Sequence, residues 1–374
     1  MYLKYTYFTM MFRPLRFCFL FYWILVSSCQ EPTTTSPTVY PTTFPTYFGN
    51  YTIPAANPLT YQGIELGRML FYEKQLSLDN SMSCASCHQQ KYAFSDGLGQ
   101  SVGVQGRKRE VGSMALVNLL WQTKFTWTGQ ASSLEQQVLM PIQHVAEMNQ
   151  TIPETISKLR KTTHYSQKFM AAFGSTEITE QKIAYALAQF LRTLVSSDAK
   201  FDKYLRGEVQ LTAQEQQGRE LLQHPYAGRL RGGNCIDCHI GLNYVGSTSG
   251  FDGFRNNGLA TDEQLQDGLF AVTKQPFDKG KFKVPTLRNI ALTAPYMHDG
   301  RFKTLDEVLD HYNDHVQLSK TIDPLILEAT NELFPPTGQV KLGLTTQEKQ
   351  AIIAFLKTLT DEKFITNPAF ASPF

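Results

Sequence analysis

Two C-x-x-C-H motifs, Cys84-Ala-Ser-Cys87-His88 and Cys235-Ile-Asp-Cys238-His239, constrain this chain more than any other feature of its sequence. Two thiols three residues apart on a tight turn can each add to a vinyl group of haem. The next residue then lies under the iron, where its imidazole serves as proximal ligand. A zinc knuckle or a redox dithiol would use the cysteines but leave both histidines unexplained. The chain is therefore predicted to carry two covalently bound haem c groups, with His88 and His239 as iron ligands. Of the six cysteines, only Cys18 and Cys29 remain, and no disulfide is expected.

Those two lie in an N-terminal address. Lys4, Arg13 and Arg16 form a basic stretch, followed by a short apolar run from Phe17 to Val26. The run is too short for a stable spanning helix and typical of a signal-peptide core. Val26-Ser27-Ser28-Cys29 comes next and resembles the lipobox of bacterial lipoproteins, which makes Cys29 the expected lipidation site. An uncleaved anchor is the alternative. Residues 1–28 then read as a lipoprotein signal peptide and residues 29–58, rich in Thr and Pro, as an extended tether whose Tyr and Phe are free to pack on the domain surface. Such a chain is expected on the periplasmic side, anchored at the membrane without spanning it. A multi-span channel is excluded, because no other segment is apolar enough.

Charge excludes a second class. The full chain has a formal net charge of +2, from 35 basic and 33 acidic residues. Removing residues 1–28 takes away three basic groups and no acidic one, leaving about −1. Nucleic-acid binding needs a concentrated basic surface, so it is not expected.

The remaining pattern is helical. Apolar residues recur at helical spacing over 61–71, 178–195 and 345–358, and Thr212-Glu215, Thr304-Glu307 and Thr345-Glu348 match the capping box. Gly- and Asn-rich loops such as 246–258 lie between, with no run of alternating strands. The predicted fold is mostly α, with two c-type cytochrome domains in tandem and Gly-rich loops. The domains are residues 59–210, holding the first haem, and residues 211–374, holding the second.

With both attachment sites in place, Trp127-Thr-Gly, Leu134-Glu-Gln-Gln with Pro141, and the block from Val284 to Gly300 (VPTLRNIALTAPYMHDG) resemble the bacterial di-haem cytochrome c peroxidases and the MauG proteins. The resemblance implies that the N-terminal haem is the peroxide site and the C-terminal haem handles electrons. It also implies a catalytic glutamate, glutamine and proline at Glu147, Gln137 and Pro141, twenty, ten and fourteen residues after Trp127. Gln136 serves the same chemistry in a shifted register. Trp127 falls at the family position between the haems, where indole can relay an electron; core packing, as for Trp121, is the plainer role. The histidine that closes the resting iron in reductively activated peroxidases is replaced by Val104. An open iron is therefore expected, with His144 the only histidine placed to reach in.

At the C-terminal haem the resemblance implies Tyr312 as sixth ligand, fourteen residues after His298, as in MauG, where the typical peroxidases have methionine. Phenolate favours ferric iron and thioether raises the potential. His311, His315 and Met297 are rival ligands. An interhaem calcium ion would take carbonyls from Thr293 and Pro295, but its side-chain asparagine falls on Gly112, and Asn118 lies six residues too late; calcium therefore stays open. The expected activity is reduction of hydrogen peroxide by electrons from a small cytochrome c or cupredoxin. The alternatives are MauG-like oxidation of a protein substrate and a non-catalytic electron carrier. A homodimer is compatible with the resemblance.

Overall fold

The computed structural model describes residues 1–7, 9–10, 36–223, 232–246, 253–328 and 342–374. The signal-peptide core, Cys18 and Cys29 lie outside these residues. Contacts divide the chain into two units, Met1–Thr35 and Ser36–Phe374, and both C-x-x-C-H motifs fall in the second. Among the described residues no helix is long and apolar enough to cross a membrane.

The second unit is mostly helical. Its first half runs through α1 (Tyr61–Tyr72), α2 (Cys84–Cys87), α3 (Leu134–Gln137), α4 (Met140–Gln143), α5 (Ile152–Arg160), α6 (Thr163–Phe173) and α7 (Glu180–Arg192). The second half runs through α8 (Lys200–Leu205), α9 (Ala213–Gln223), α10 (Phe270–Thr273), α11 (Leu305–Asp314), α12 (Pro324–Glu328), α13 (Thr346–Lys357) and α14 (Glu362–Thr366). Two short strands, β1 (Phe254–Arg255) and β2 (Phe282–Lys283), pair antiparallel with Phe254 opposite Lys283. The three capping boxes read from sequence are formed at Thr212, Thr304 and Thr345. A fourth, Thr151 with Glu154, starts α5.

One packing device occurs twice. Gly67 of α1 sits so close to α7 that an added Cβ would lie 1.9 Å from the Ala186 carbonyl oxygen. Gly218 of α9 likewise meets the Ala351 carbonyl of α13 at 1.8 Å. Each C-x-x-C-H motif thus follows a helix that is seated, through a glycine, on a later helix of the same half. Each pair nucleates its own apolar cluster. One is built on Leu66, Leu70, Phe94, Leu187 and Phe190, the other on Leu222, Tyr244, Ile352 and Phe355. The C-terminal tail departs from the second cluster, since Phe364 and Phe370 pack against Phe94 in the first.

The Thr/Pro-rich segment is extended but docked from Ser36 onward. Val39 bridges Thr60, and Phe44, Phe48 and Tyr51 set their ring edges around Trp121. The Trp121 indole donates to the Gly49 carbonyl. Beneath Phe48 lies Arg288, fully buried, whose Nη1 donates to both carboxylate oxygens of equally buried Asp202 at 2.8 Å. Its remaining N–H groups donate to the Leu242 carbonyl. This pair pins the segment that carries Pro285 against the loop after His239.

Candidate active site

Both C-x-x-C-H motifs form a single tight turn with the thiols unlinked. Burial pushes the thiols up, Cys84 to about 12, Cys87 to about 11, and both Cys235 and Cys238 to about 12. A redox dithiol needs the opposite shift. The histidines are prepared in the same way in both motifs. His88 Nδ1 donates to the Phe94 carbonyl at 2.8 Å, and His239 Nδ1 donates to the Pro285 carbonyl at 2.9 Å. Burial lowers the pKa of each, His239 to about 4, so both rings are neutral. With the proton held on Nδ1, the Nε2 lone pair is left for a metal. A further likeness is a short return after each histidine, the Gln89–Ser95 and Ile240–Val245 bridges.

Around His88 the loop 101–109 is locked onto the segment carrying Glu147. The Val104 N–H donates to the Glu147 carbonyl at 2.8 Å, and at Gly103 a Cβ would meet the Ala146 carbonyl oxygen at 2.3 Å. Val104 is 1 % exposed and packs in the cluster that includes Cys84 and Cys87. The Glu147 carboxylate is close enough for its charge to act on His88, Cys84 and Cys87. Its partner is Arg109, at 2.8 Å. His144 stands on the outer side, half exposed, 3.9 Å from Glu147, its Nδ1 accepting from the Ala146 N–H.

The two glutamines separate clearly. Gln136 is exposed and its amide oxygen accepts from the Ser132 N–H and hydroxyl, closing the start of α3. Gln137 is half-buried, and its side chain makes no hydrogen bond with the described residues. Glu135, from the same motif, pairs with Arg192 of α7 and accepts from Asn57, which fixes α3 in place. Pro141 opens α4, and its carbonyl accepts from Met148 N–H, so the turn into Glu147 is anchored there.

The second motif opens onto an apolar cavity. Cys235, Cys238, His239, Met297, Tyr312 and Trp127 all line it. Asn257 donates to Tyr312 Oη at 2.9 Å and to Met297 Sδ at 3.5 Å. Burial raises the Tyr312 phenol well above its ordinary value. The rival histidines face away. His311 donates from Nε2 to the Asn257 carbonyl, and His315 is exposed beside Asp314; both line a separate outer concavity. Neutral imidazoles and unlinked thiol pairs fit haem at both motifs, and at the second an apolar chamber adjoins them.

Trp127 ties the two halves together. Its indole N–H donates to the Gly112 carbonyl at 2.8 Å, and Gly112 N–H donates to the His298 carbonyl at 3.1 Å. The His298 ring stacks on Phe282 at 3.6 Å and bonds Gln266 through Nε2. Side-chain oxygens near the expected calcium position are few or already engaged. Gly112 brings no side-chain oxygen, the Asn118 amide is used by Ser196 and Asn243, and Thr293 Oγ1 donates to Ile290. No cluster of three His, Cys, Asp or Glu suited to a metal ion occurs among the described residues.

Residues 61–210 match the family model described as di-haem cytochrome c peroxidase. The methylamine utilization protein MauG of Methylorubrum extorquens is 34% identical over 311 residues, which cover 83% of this chain and 81% of that protein. The chain belongs to the di-haem cytochrome c peroxidase family. The cytochrome c551 peroxidase of Nitrosomonas europaea is 30% identical over 83% of this chain and 84% of its own length. The solved structure of a MauG-like protein associated with microbial copper homeostasis superposes with a TM-score of 0.79 at 34% identity, covering 90% of this chain and 99% of that one. This family member is accordingly an oxidoreductase acting on peroxide, with haem c as its cofactor.

Sequence reasoning missed Arg109 and Asn257. Arg109 sits in the basic run Arg107-Lys-Arg, which reads as a solvated turn, and Asn257 lies in a loop whose composition promises only a turn. Neither carries a motif.

Proposed function

We propose that the chain reduces hydrogen peroxide to water at the haem bound by Cys84, Cys87 and His88, with electrons delivered through a second haem bound by Cys235, Cys238 and His239. The two motifs belong to tandem domains, residues 59–210 and 211–374. The iron over His88 supplies the redox chemistry of O–O cleavage. Glu147 takes the proton from one peroxide oxygen and returns it to the departing one, Arg109 holds that carboxylate in place, and Gln137 offers an amide donor. Two further protons and two electrons complete the conversion of one peroxide to two waters. Trp127 would relay electrons between the sites, and Tyr312 would help hold the iron of the second haem. Export, with Cys29 lipidated and the enzyme on the periplasmic side, completes the reading; the electron donor is a small cytochrome or cupredoxin.

The observation that carries it is the pairing of Val104 and Glu147 beside His88. A pure electron carrier needs neither a ligand-free iron nor a proton-moving carboxylate. A second reading, peroxide-dependent oxidation of a protein substrate, is favoured by one feature, the phenol of Tyr312 in the cavity where a thioether would make an easier electron acceptor. Resting-state EPR tests the first step. We expect one high-spin and one low-spin ferric haem; two low-spin signals with no peroxide reaction would leave only the carrier. Glu147→Gln is expected to slow peroxide turnover about 10²–10⁴-fold with both resting spectra intact. Unchanged turnover removes Glu147 from the mechanism. Comparing reduced cytochrome with candidate protein substrates separates the two activities.

A further inference from the structure

Lys283 is the most anomalous side chain of the second half. It is 3 % exposed, lines the cavity with His239 and Trp127, and has no carboxylate partner among the described residues. Its one polar contact is neutral, Nζ donating to Gln122 Oε1 at 2.7 Å. Gln122 is itself held, its Nε2 donating to the Val117 carbonyl, so that its oxygen must face the amine. Main-chain bonds hold Lys283 as firmly, through strand pairing with Phe254 and its N–H to the Trp127 carbonyl. Burial alone pulls the amine down to about 7. A buried ammonium with only an amide for company costs several kcal/mol. A chain has little reason to hold one there unless something in the cavity is negative.

An ammonium has three N–H donors, and Gln122 takes one. The others are left for a guest in the cavity. We propose that Lys283 is the counter-ion of a carboxylate of the haem attached at Cys235 and Cys238, with Gln122 as its positioning residue. This rests on the reading that the cavity holds haem, and it adds a specific anion seat on the Trp127 side of that haem. A cation there favours the ferrous form, whose iron carries one positive charge fewer, and so holds the potential up.

The test uses the mature di-haem protein. Intact mass first establishes two covalent haems, and a chain without the second haem refutes the cofactor reading itself. With both present, Lys283→Met is expected to lower the midpoint potential of the second haem. At a fixed potential near the midpoint, its ferric-to-ferrous ratio should rise about tenfold, equivalent to about 59 mV. Lys283→Arg should stay near the wild-type value. A Lys283→Met midpoint equal to wild type overturns the pairing. A second measurement covers a variant that fails to mature, because ¹⁵N NMR of the wild-type holoprotein reads the lysine amine directly. A paired Lys283 stays charged well above neutral pH, whereas titration near neutrality would overturn the proposal.

Discussion

Asn257→Leu is the sharpest perturbation of the second site. The Asn257 amide donates to Tyr312 Oη at 2.9 Å, and no other donor to that oxygen is present among the described residues. If the phenolate ligates iron, this bond has a charged acceptor and is worth about 1.5–3 kcal/mol. The bond exists in both oxidation states, so only the difference between them moves the potential. The oxygen holds more of its charge over ferrous iron, and the bond is stronger there. Taking half of its worth as redox-dependent gives about 0.7–1.5 kcal/mol, or about 30–65 mV for one electron. Leucine keeps the branched shape, though it is bulkier, and removes the donor, so the midpoint should fall by that amount in spectroelectrochemical titration. An unchanged midpoint with two haems attached would refute phenolate ligation under hydrogen-bond control. The same amide touches Met297 Sδ at 3.5 Å, which sets a second readout. A methionine–iron charge-transfer band in the resting wild type would show that Met297, not Tyr312, is the ligand.

Two other outcomes concern a buried ion pair and the calcium position. Asp202→Ala strands the Arg288 guanidinium, which is fully buried with the Leu242 carbonyl and the rings of Phe48 and Phe201 left beside it. Breaking such a pair costs about 3–5 kcal/mol, read as a lower urea midpoint; a loss under about 1 kcal/mol would contradict the buried-pair account. At the calcium position, a chelator is expected to leave the resting spectrum and both midpoints unchanged, since only carbonyls are offered there. A spectral change reversed by added calcium would show that those carbonyls do hold the ion.

The parts legible in sequence were those with a local chemical rule. The attachment motifs, the helix starts at Thr212, Thr304 and Thr345, and the long amphipathic helices rest on spacing within a few residues. Choosing among Tyr312, His311 and His315 depended on which face of α11 meets the cavity, and sequence allows all three. Asn257 separates two of them, its side chain donating to Tyr312 at the cavity wall while its carbonyl accepts from His311. Gln136 and Gln137 were adjacent and chemically identical. What separates them is the Ser132 turn, a contact of the kind spacing cannot express. Lys283 was invisible for another reason, since a lysine beside a phenylalanine reads as an exposed strand position until the opposing wall is known.

The two sites differ in how their parts are gathered, and that difference bears on their roles. The polar groups assigned to the His88 site, Arg109, Gln137 and Glu147, come from one stretch, and a main-chain bond fastens Val104 to Glu147. The His239 site draws its wall from residues spread over most of the second half, with Trp127 reaching in from the first. Trp127 is bonded at both ends, its carbonyl to Lys283 and its indole to Gly112, which in turn donates to His298. Trp121, which packs under the N-terminal segment, is likewise fixed at its ring nitrogen and its main chain, so this fixing marks Trp127 as a joint between the halves. On the proposed reading the same joint would also serve electron transfer, which falls steeply with distance and so would gain from an indole held in one place against the second chamber.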